Sequence, residues 1–216
     1  MCDTAVNRWT SPAHAIEYLA RADFIPHRAE GEAELIEWLP RKTATVLDLG
    51  SGDGRLLRVV KSARPNASAV ALDFSETMLD RLRKRFVADG SVRVLAHDLD
   101  RPLPASLGTF DAIVSSFAIH HLSDPRKRAL YEEAYGLLRP RGAFLNLEHV
   151  ASPTRSLHDR FLARLGIAPD EEDPSNKLLD VETQLVWLRA IGFSNVDCHW
   201  KWRELALLAA TKPGLP

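Results

Sequence analysis

Apolar positions along the chain switch between two periods. Short runs rich in β-branched residues open at Thr45 and recur at 67–73, 92–96, 112–116 and 143–150, where they read as buried strands. Between them, residues 53–63, 76–88 and 124–138 place apolar side chains at helical spacing. Two further helices, 13–22 and 28–38, precede the first strand, with Pro40 closing the second. Arg64-Pro65-Asn66 stops the helix at 53–63, Ser75 stands where a cap for the next helix belongs, and Arg139-Pro140-Arg141-Gly142 reads as a turn.

After Val150 the alternation pauses. Ser152-Pro153 leads into an amphipathic helix ending near Leu165, an acidic loop covers 168–176, and another helix spans 180–190. The charge run Asp170, Glu171, Glu172, Asp173 reads as a solvated loop. Residues 193–202 and 204–211, separated by a short polar turn, predict a terminal antiparallel hairpin. Strand and helix alternate throughout 45–150, which argues for a doubly wound α/β sheet with helices on both faces, whose ligands lie at the C-terminal strand ends. The chain reads as a single domain over 1–216, with a helical cap at 1–40 and a helical insert or lid at 151–191. Its first eleven residues are polar, although Trp9 suggests a contact.

The densest chemistry lies where the first strand meets its helix, in Asp48-Leu49-Gly50-Ser51-Gly52-Asp53-Gly54. A strand, a glycine turn and a helix N-terminus let bare backbone approach a ligand closely. The dinucleotide fingerprint G-x-G-x-x-G puts its third glycine where Arg55 stands, and no Gly-Lys-Ser/Thr follows for a phosphate loop. Asp48, just ahead of the loop, would repel a pyrophosphate and suits a cationic, amino-acid-like ligand. About twenty residues on, Asp73 ends the second strand at the spacing where a carboxylate accepts from a ribose diol.

D-x-G-x-G-x-G after a strand resembles the first motif of class I S-adenosylmethionine (SAM)-dependent methyltransferases. The motif order continues through Asp73, Asp98-Leu99, Phe117-Ala-Ile-His-His-Leu122 and Leu138-Arg-Pro-Arg-Gly-Ala-Phe144, so the resemblance covers about residues 28–211. It implies a Rossmann-like sheet of seven strands, mostly parallel, closed by the antiparallel hairpin. It also implies SAM as cofactor, S-adenosylhomocysteine as product and a small-molecule acceptor. By the resemblance, Gly50, Ser51 and Gly52 approach the methionine end, with Asp48 near its ammonium group. Arg28 is a candidate for the methionine carboxylate, against the alternative of a surface charge. Asp73 with Phe74 would hold the ribose, Asp98 and Leu99 the adenine, and Ser115 and Ser116 close the fourth strand beside them.

Methyl transfer needs an acceptor atom in line and stripped of water, and a base only when that atom must lose a proton. Histidine suits that task near neutral pH. His120 and His121 follow the fourth strand on the loop that faces the transferred methyl in the resembled family. If that segment is extended, the two side chains point opposite ways and one enters the site. Glu148 and His149 close the fifth strand and could orient the acceptor. With His158 they could also hold a divalent ion, but no helical His-x-x-x-His spacing or paired aspartates support a metal. Trp200 and Trp202 share one face of a strand and either wall an aromatic acceptor site or form a hydrophobic sheet face.

Composition narrows the partners. Formal charge is −1, which implies no overall attraction to nucleic acid or anionic membrane, and no apolar run reaches membrane-spanning length. Cys2 and Cys198 lack metal or disulfide spacing and the N-terminus lacks a signal pattern, so the cytoplasm is expected. Competing readings keep the cofactor but change the acceptor to RNA or protein, or substitute a nicotinamide dehydrogenase. A monomer and a homodimer are equally compatible with the pattern.

Overall fold

In the computed structural model, which describes residues 9, 11–22, 25–168 and 170–214, every strand joins one sheet. In chain order the strands are β1 (Thr45–Leu49), β2 (Ser68–Asp73), β3 (Val92–Ala96), β4 (Phe110–Ser116), β5 (Leu138–His149), β6 (Ser194–Trp202) and β7 (Leu205–Thr211). Their spatial order is β3-β2-β1-β4-β5-β7-β6. The first five pair in parallel and β7 inserts antiparallel between β5 and β6. Strand order reverses between β1 and β4, so a crevice opens where their C-terminal ends part.

Helices α1 (Pro12–Ala22), α2 (Arg28–Trp38), α3 (Arg55–Ala63), α4 (Glu76–Arg85), α5 (Asp124–Leu137), α6 (Arg155–Leu165) and α7 (Val181–Ile191) surround the sheet. Alternation along the strands divides the core into two layers. Leu47, Leu49, Ile113 and Phe144 meet α5 and α7 through Leu130, Tyr131 and Leu188. Val46, Val114, Leu145 and Leu147 meet α2, α3 and α6 through Leu35, Leu57 and Phe161. Strands buried on both faces are apolar at successive positions, which is why β1 and β4 read as continuous runs.

Several boundaries differ from the sequence reading. Gly54 takes a left-handed conformation (φ 85°) at the N-cap, so α3 begins at Arg55 rather than Asp53. α4 ends at Arg85, where Phe86 leaves helical geometry after its N–H reaches Leu82 O. Ser75 occupies its N-cap without a side-chain cap bond; instead its N–H donates to Asp73 Oδ1 at 2.9 Å. The predicted turn at 139–142 belongs to β5 as an irregularity: Leu138 pairs with Phe110, then the register shifts so that Ala143 pairs with Ala112. Arg141 absorbs the extra residues with φ 66°, and its N–H bonds Lys212 O beyond β7.

Candidate active site

The crevice at the strand-order reversal is a cleft with a cavity of about 220 Å³, lined by the glycine loop, Asp73-Phe74, Asp98-Leu99 and Ser116-Phe117-Ala118. The loop is held open by its backbone. Gly50 and Gly52 adopt φ of 67° and 55°, and a Cβ at Gly50 would collide with that of Ala118. A Cβ at Gly52 would meet nothing within 4 Å, leaving the loop's bare backbone facing open cleft.

Asp48 lies below that loop, 1% exposed. Ser51 Oγ donates to its main-chain carbonyl at 3.0 Å, and among the described residues neither carboxylate oxygen has a hydrogen-bond partner. Burial drives its pKa up to about 7, opposed by the Ser51 hydroxyl and reinforced by the Asp73 charge. A buried, unpartnered carboxylate is costly unless a cation or donor arrives. Asp73 braces the loop: Oδ2 accepts from Gly52 N at 2.8 Å and Oδ1 from Ser75 N. Each oxygen has a further lone pair, which leaves room for a diol. Asp98 Oδ1 accepts from Asp100 N at 3.0 Å and Leu99 lies beside it in the cleft wall.

Arg28, Phe74 and Ser116 also line the cleft. Arg28 is buried rather than a surface charge: Nε bonds Glu32 Oε1 at 3.0 Å and the guanidinium sits 5.2 Å from the centre of the Phe117 ring. Ser115 faces away. Its hydroxyl ties β4 to β1 by donating to Leu49 O at 2.8 Å, and it is absent from the lining.

The histidine pair does not lie on an extended segment. Residues Ile119–His121 form a 3-10 turn, in which successive side chains fan around one axis, and the two rings stand 4.0 Å apart. Only His121 of the two lines the cleft. His120 is buried behind it, with Nδ1 2.6 Å from Glu148 Oε1. Burial, with the nearby charges of His149 and Lys127, holds the His120 pKa well below 6.5, while burial raises that of Glu148 to about 7. Burial, with His120 alongside, also lowers that of His121. The pair is therefore neutral at physiological pH. Glu148 continues inward through Asn146 Nδ2 (3.4 Å) to Tyr131, whose hydroxyl donates to Gln184 of α7 at 2.6 Å.

The remaining acceptor candidates lie outside the cleft lining. His149 Nε2 is 3.0 Å from Glu204 Oε2, at a buried cluster that also takes Ser152 and His158. Trp200 packs against the position of Gly31, and Trp202 stacks near His27 and Phe161, so both serve the hydrophobic face of the sheet. Conversely, sequence reasoning assigned no role at the site to Ser175 or Asp173. The predicted solvated loop turns inward: Ser175 Oγ lies 3.0 Å from His121 Nδ1, and Asp173 Oδ2 lies 3.3 Å from His14 Nε2 of α1. Trp9 meets both His14 and His121 edge-on, at 4.8 and 5.3 Å between ring centres. A Ser one residue before Asn176 at the end of a Pro-containing acidic run was the available signal, and it carries no periodicity. Among the described residues, no group of three or more His, Cys, Asp or Glu is arranged to hold a metal ion.

Residues 46–142 match the family model of a methyltransferase domain. The chain is 30% identical over 167 residues to a demethylmenaquinone methyltransferase of Clavibacter sepedonicus, covering 70% of this chain and 66% of that protein. It is also 30% identical over 204 residues to a ubiquinone/menaquinone biosynthesis C-methyltransferase of Roseobacter denitrificans, covering 84% and 77%. The chain belongs to the SAM-dependent methyltransferase family. An O-methyltransferase family protein from Burkholderia thailandensis superposes on the methyltransferase with TM-score 0.75 at 20% identity, covering 97% of this chain and 63% of that one. Human N-acetylserotonin methyltransferase, solved with SAM, gives 0.69 at 16% identity, covering 95% and 58%. These matches remove the dehydrogenase reading and make SAM the family's cofactor.

Proposed function

We propose that this methyltransferase moves the methyl group of SAM onto oxygen, nitrogen or carbon of a small planar acceptor, a ring carbon or hydroxyl of a quinol-like compound foremost. The observation that carries the reading is Asp48, a buried carboxylate without a partner beside a glycine loop that faces open cleft. Such a carboxylate fits an ammonium group, and the uncovered backbone at Gly52 fits the chain behind it. Bound there, SAM supplies a methyl group already activated on a sulfonium.

The chain's own residues bind, orient and exclude water. Asp48 takes the ammonium group, with the backbone of Gly50 and Gly52 and the neighbouring Ser51 framing it. Arg28, fixed by Glu32, presents charge toward the carboxylate end. Asp73, with Phe74 beside it, receives the ribose hydroxyls on the lone pairs its two backbone bonds leave. Asp98 and Leu99 take the adenine, and Ser116 closes that side. His121 stands at the acceptor end between Trp9 and Leu122, where its neutral imidazole takes the proton an acceptor hydroxyl or ring must lose. His120 supports it from behind through Glu148. The relatives named above carry the acceptor class: both act in quinone methylation by name.

Among the described residues no helix is long and apolar enough to cross a membrane. Calorimetric titration with SAM and with NAD, followed by transfer of labelled methyl to a panel of hydroquinones, catechols and naphthols, tests the whole reading. Saturable SAM binding with methylated quinol product is expected. Absence of SAM binding, or labelled methyl appearing only on RNA or protein added in parallel, would overturn it.

A further inference from the structure

Two oxygens of Ser175, in the insert between β5 and α7, converge on the edge of His121 that carries Nδ1. Ser175 Oγ lies 3.0 Å from that nitrogen and the Ser175 carbonyl 3.4 Å. Asp173 stands behind them, with Oδ1 accepting from Ser175 N at 2.9 Å and the Ser175 hydroxyl also serving its carboxylate. Ser175 is buried and Asp173 half-buried in this position, and Lys177 fastens the same segment to the histidine turn. Its N–H donates to His120 O and its Nζ to His121 O, each at 2.9 Å.

Proton counting fixes the direction of these bonds. The carbonyl can only accept, so a bare Nδ1 beside it would set lone pair against lone pair; an N–H there satisfies both. The Ser175 hydroxyl has one proton and two neighbours that could take it, His121 Nδ1 and the Asp173 carboxylate. An ionised carboxylate is the stronger acceptor, so the proton goes to Asp173 and Oγ turns a lone pair to the ring. Both lines lead to the same tautomer. We propose that Asp173 and Ser175 are positioning residues that hold His121 with its proton on Nδ1, making Nε2 the basic nitrogen offered to the acceptor.

This inference rests on the assignment of His121 to the acceptor end of the cleft, but its geometry stands on the insert alone. His14, from α1, brings Nε2 to 3.3 Å from Asp173 Oδ2, so the N-terminal helix, the insert and the histidine turn meet around this carboxylate. The support of His121 differs from that of His120, which bonds a carboxylate directly.

The test reads the tautomer without any acceptor. The full chain, labelled with 15N-histidine and saturated with S-adenosylhomocysteine, is examined by two-bond proton–nitrogen correlation at pH 7.5. His121 is assigned by the signal lost in His121→Gln. The expected result is a protonated Nδ1 and a bare Nε2, with a mixture of tautomers in Ser175→Ala and Asp173→Asn and restoration in Ser175→Thr. A wild-type ring protonated at Nε2 overturns the proposal, and so does an unchanged tautomer in both variants. If either variant fails to fold, the wild-type spectrum decides alone. Methyl transfer to a hydroquinone separates the two claims. Turnover should fall about ten- to hundredfold in Asp173→Asn, and full turnover in His121→Gln would remove the base role while leaving the tautomer assignment intact.

Discussion

Replacing Asp48 by Asn should make the unliganded protein more stable and the cofactor weaker. Asp48 has a folded-state pKa of about 7 against an ordinary value of 3.8, chiefly because burial penalises its charge. Between those values the folded chain keeps a proton that the unfolded chain has lost. Stability therefore falls as pH rises, by about 1.4 kcal/mol per unit, accumulating about 4 kcal/mol above pH 7. Asn is neutral throughout and removes that slope. Its amide still lacks partners in the unliganded site, so roughly half the gain, about 2 kcal/mol, should remain at pH 8. For a chain of this size that is a rise of about 4–8 °C in melting temperature at pH 8, vanishing at about pH 5.5 and reversing below it. Loss of a charged hydrogen bond to the ammonium group costs about 1.5–3 kcal/mol, or about 10- to 150-fold in SAM affinity. Differential scanning calorimetry across pH 5–8, paired with SAM titration, measures both. In the wild type, binding should release a proton below pH 7, because the ammonium group draws Asp48 into its ionised form. A melting difference that does not widen with pH, or an unchanged SAM affinity, would refute the reasoning.

The other predictions concern the loop, the inner network and the helix after β5. Gly50→Ala combines a left-handed backbone with a collision against Ala118 and should cost about 2–4 kcal/mol in urea denaturation. Gly52→Ala, with no atom within 4 Å of the new Cβ, should cost about 1–2 kcal/mol and lose SAM affinity instead; identical unfolding midpoints for the two would contradict the loop geometry. Tyr131→Phe removes the hydroxyl between Gln184 and Asn146 and should destabilise by about 1–3 kcal/mol, read in the same assay. Burial alone would lower the His158 pKa, but its bonds to Glu172 and Glu204 outweigh that and raise it above 6.5. The stability this contributes is complete below pH 6.5 and lost as pH rises through the folded value. His158→Ala should therefore lower the urea midpoint more at pH 6 than at pH 9, and an equal loss at both would sink the idea.

Sequence reading located the fold because its determinants are local. Buried parallel strands leave apolar runs, and the helices around them keep their spacing, so β3 and α2 match to the residue and β1 opens at Thr45 as read. The errors fall where tertiary pairing overrides local signals. Pro140 and Gly142 look like a turn, but the edge of β4 and Lys212 recruit that segment into β5 around a strained Arg141. The half of the cleft we assign to the cofactor was legible for the same reason as the strands: Asp48, Gly52, Asp73 and Asp98 lie at or just past strand ends, and the sheet order brings strand ends together. Ser115 shows the limit of that rule, since adjacent strand positions face opposite ways and only Ser116 faces the cleft.

The acceptor half is built differently. His121 closes the 3-10 turn after β4, and what surrounds it comes from segments about fifty residues later and a hundred earlier: Ser175 and Asp173 from the insert, Trp9 and His14 from the N-terminal side. No periodic pattern marks such contacts, because they depend on how the insert folds back over the 3-10 turn. The insert is also anchored apart from the cofactor loop, through Glu204 to His149, Ser152 and His158, and through Lys127 to the Lys177 carbonyl. Substitutions at Ser175 or Asp173 can thus change what His121 presents to an acceptor while leaving Asp48, Gly52 and Asp73 in place. A fold arranged this way can vary its acceptor chemistry without rebuilding its cofactor site. It follows that Ser175→Ala should leave S-adenosylhomocysteine affinity within about threefold of wild type, or about 0.65 kcal/mol. A larger loss in the folded variant would show that the two halves are coupled and that this division is wrong.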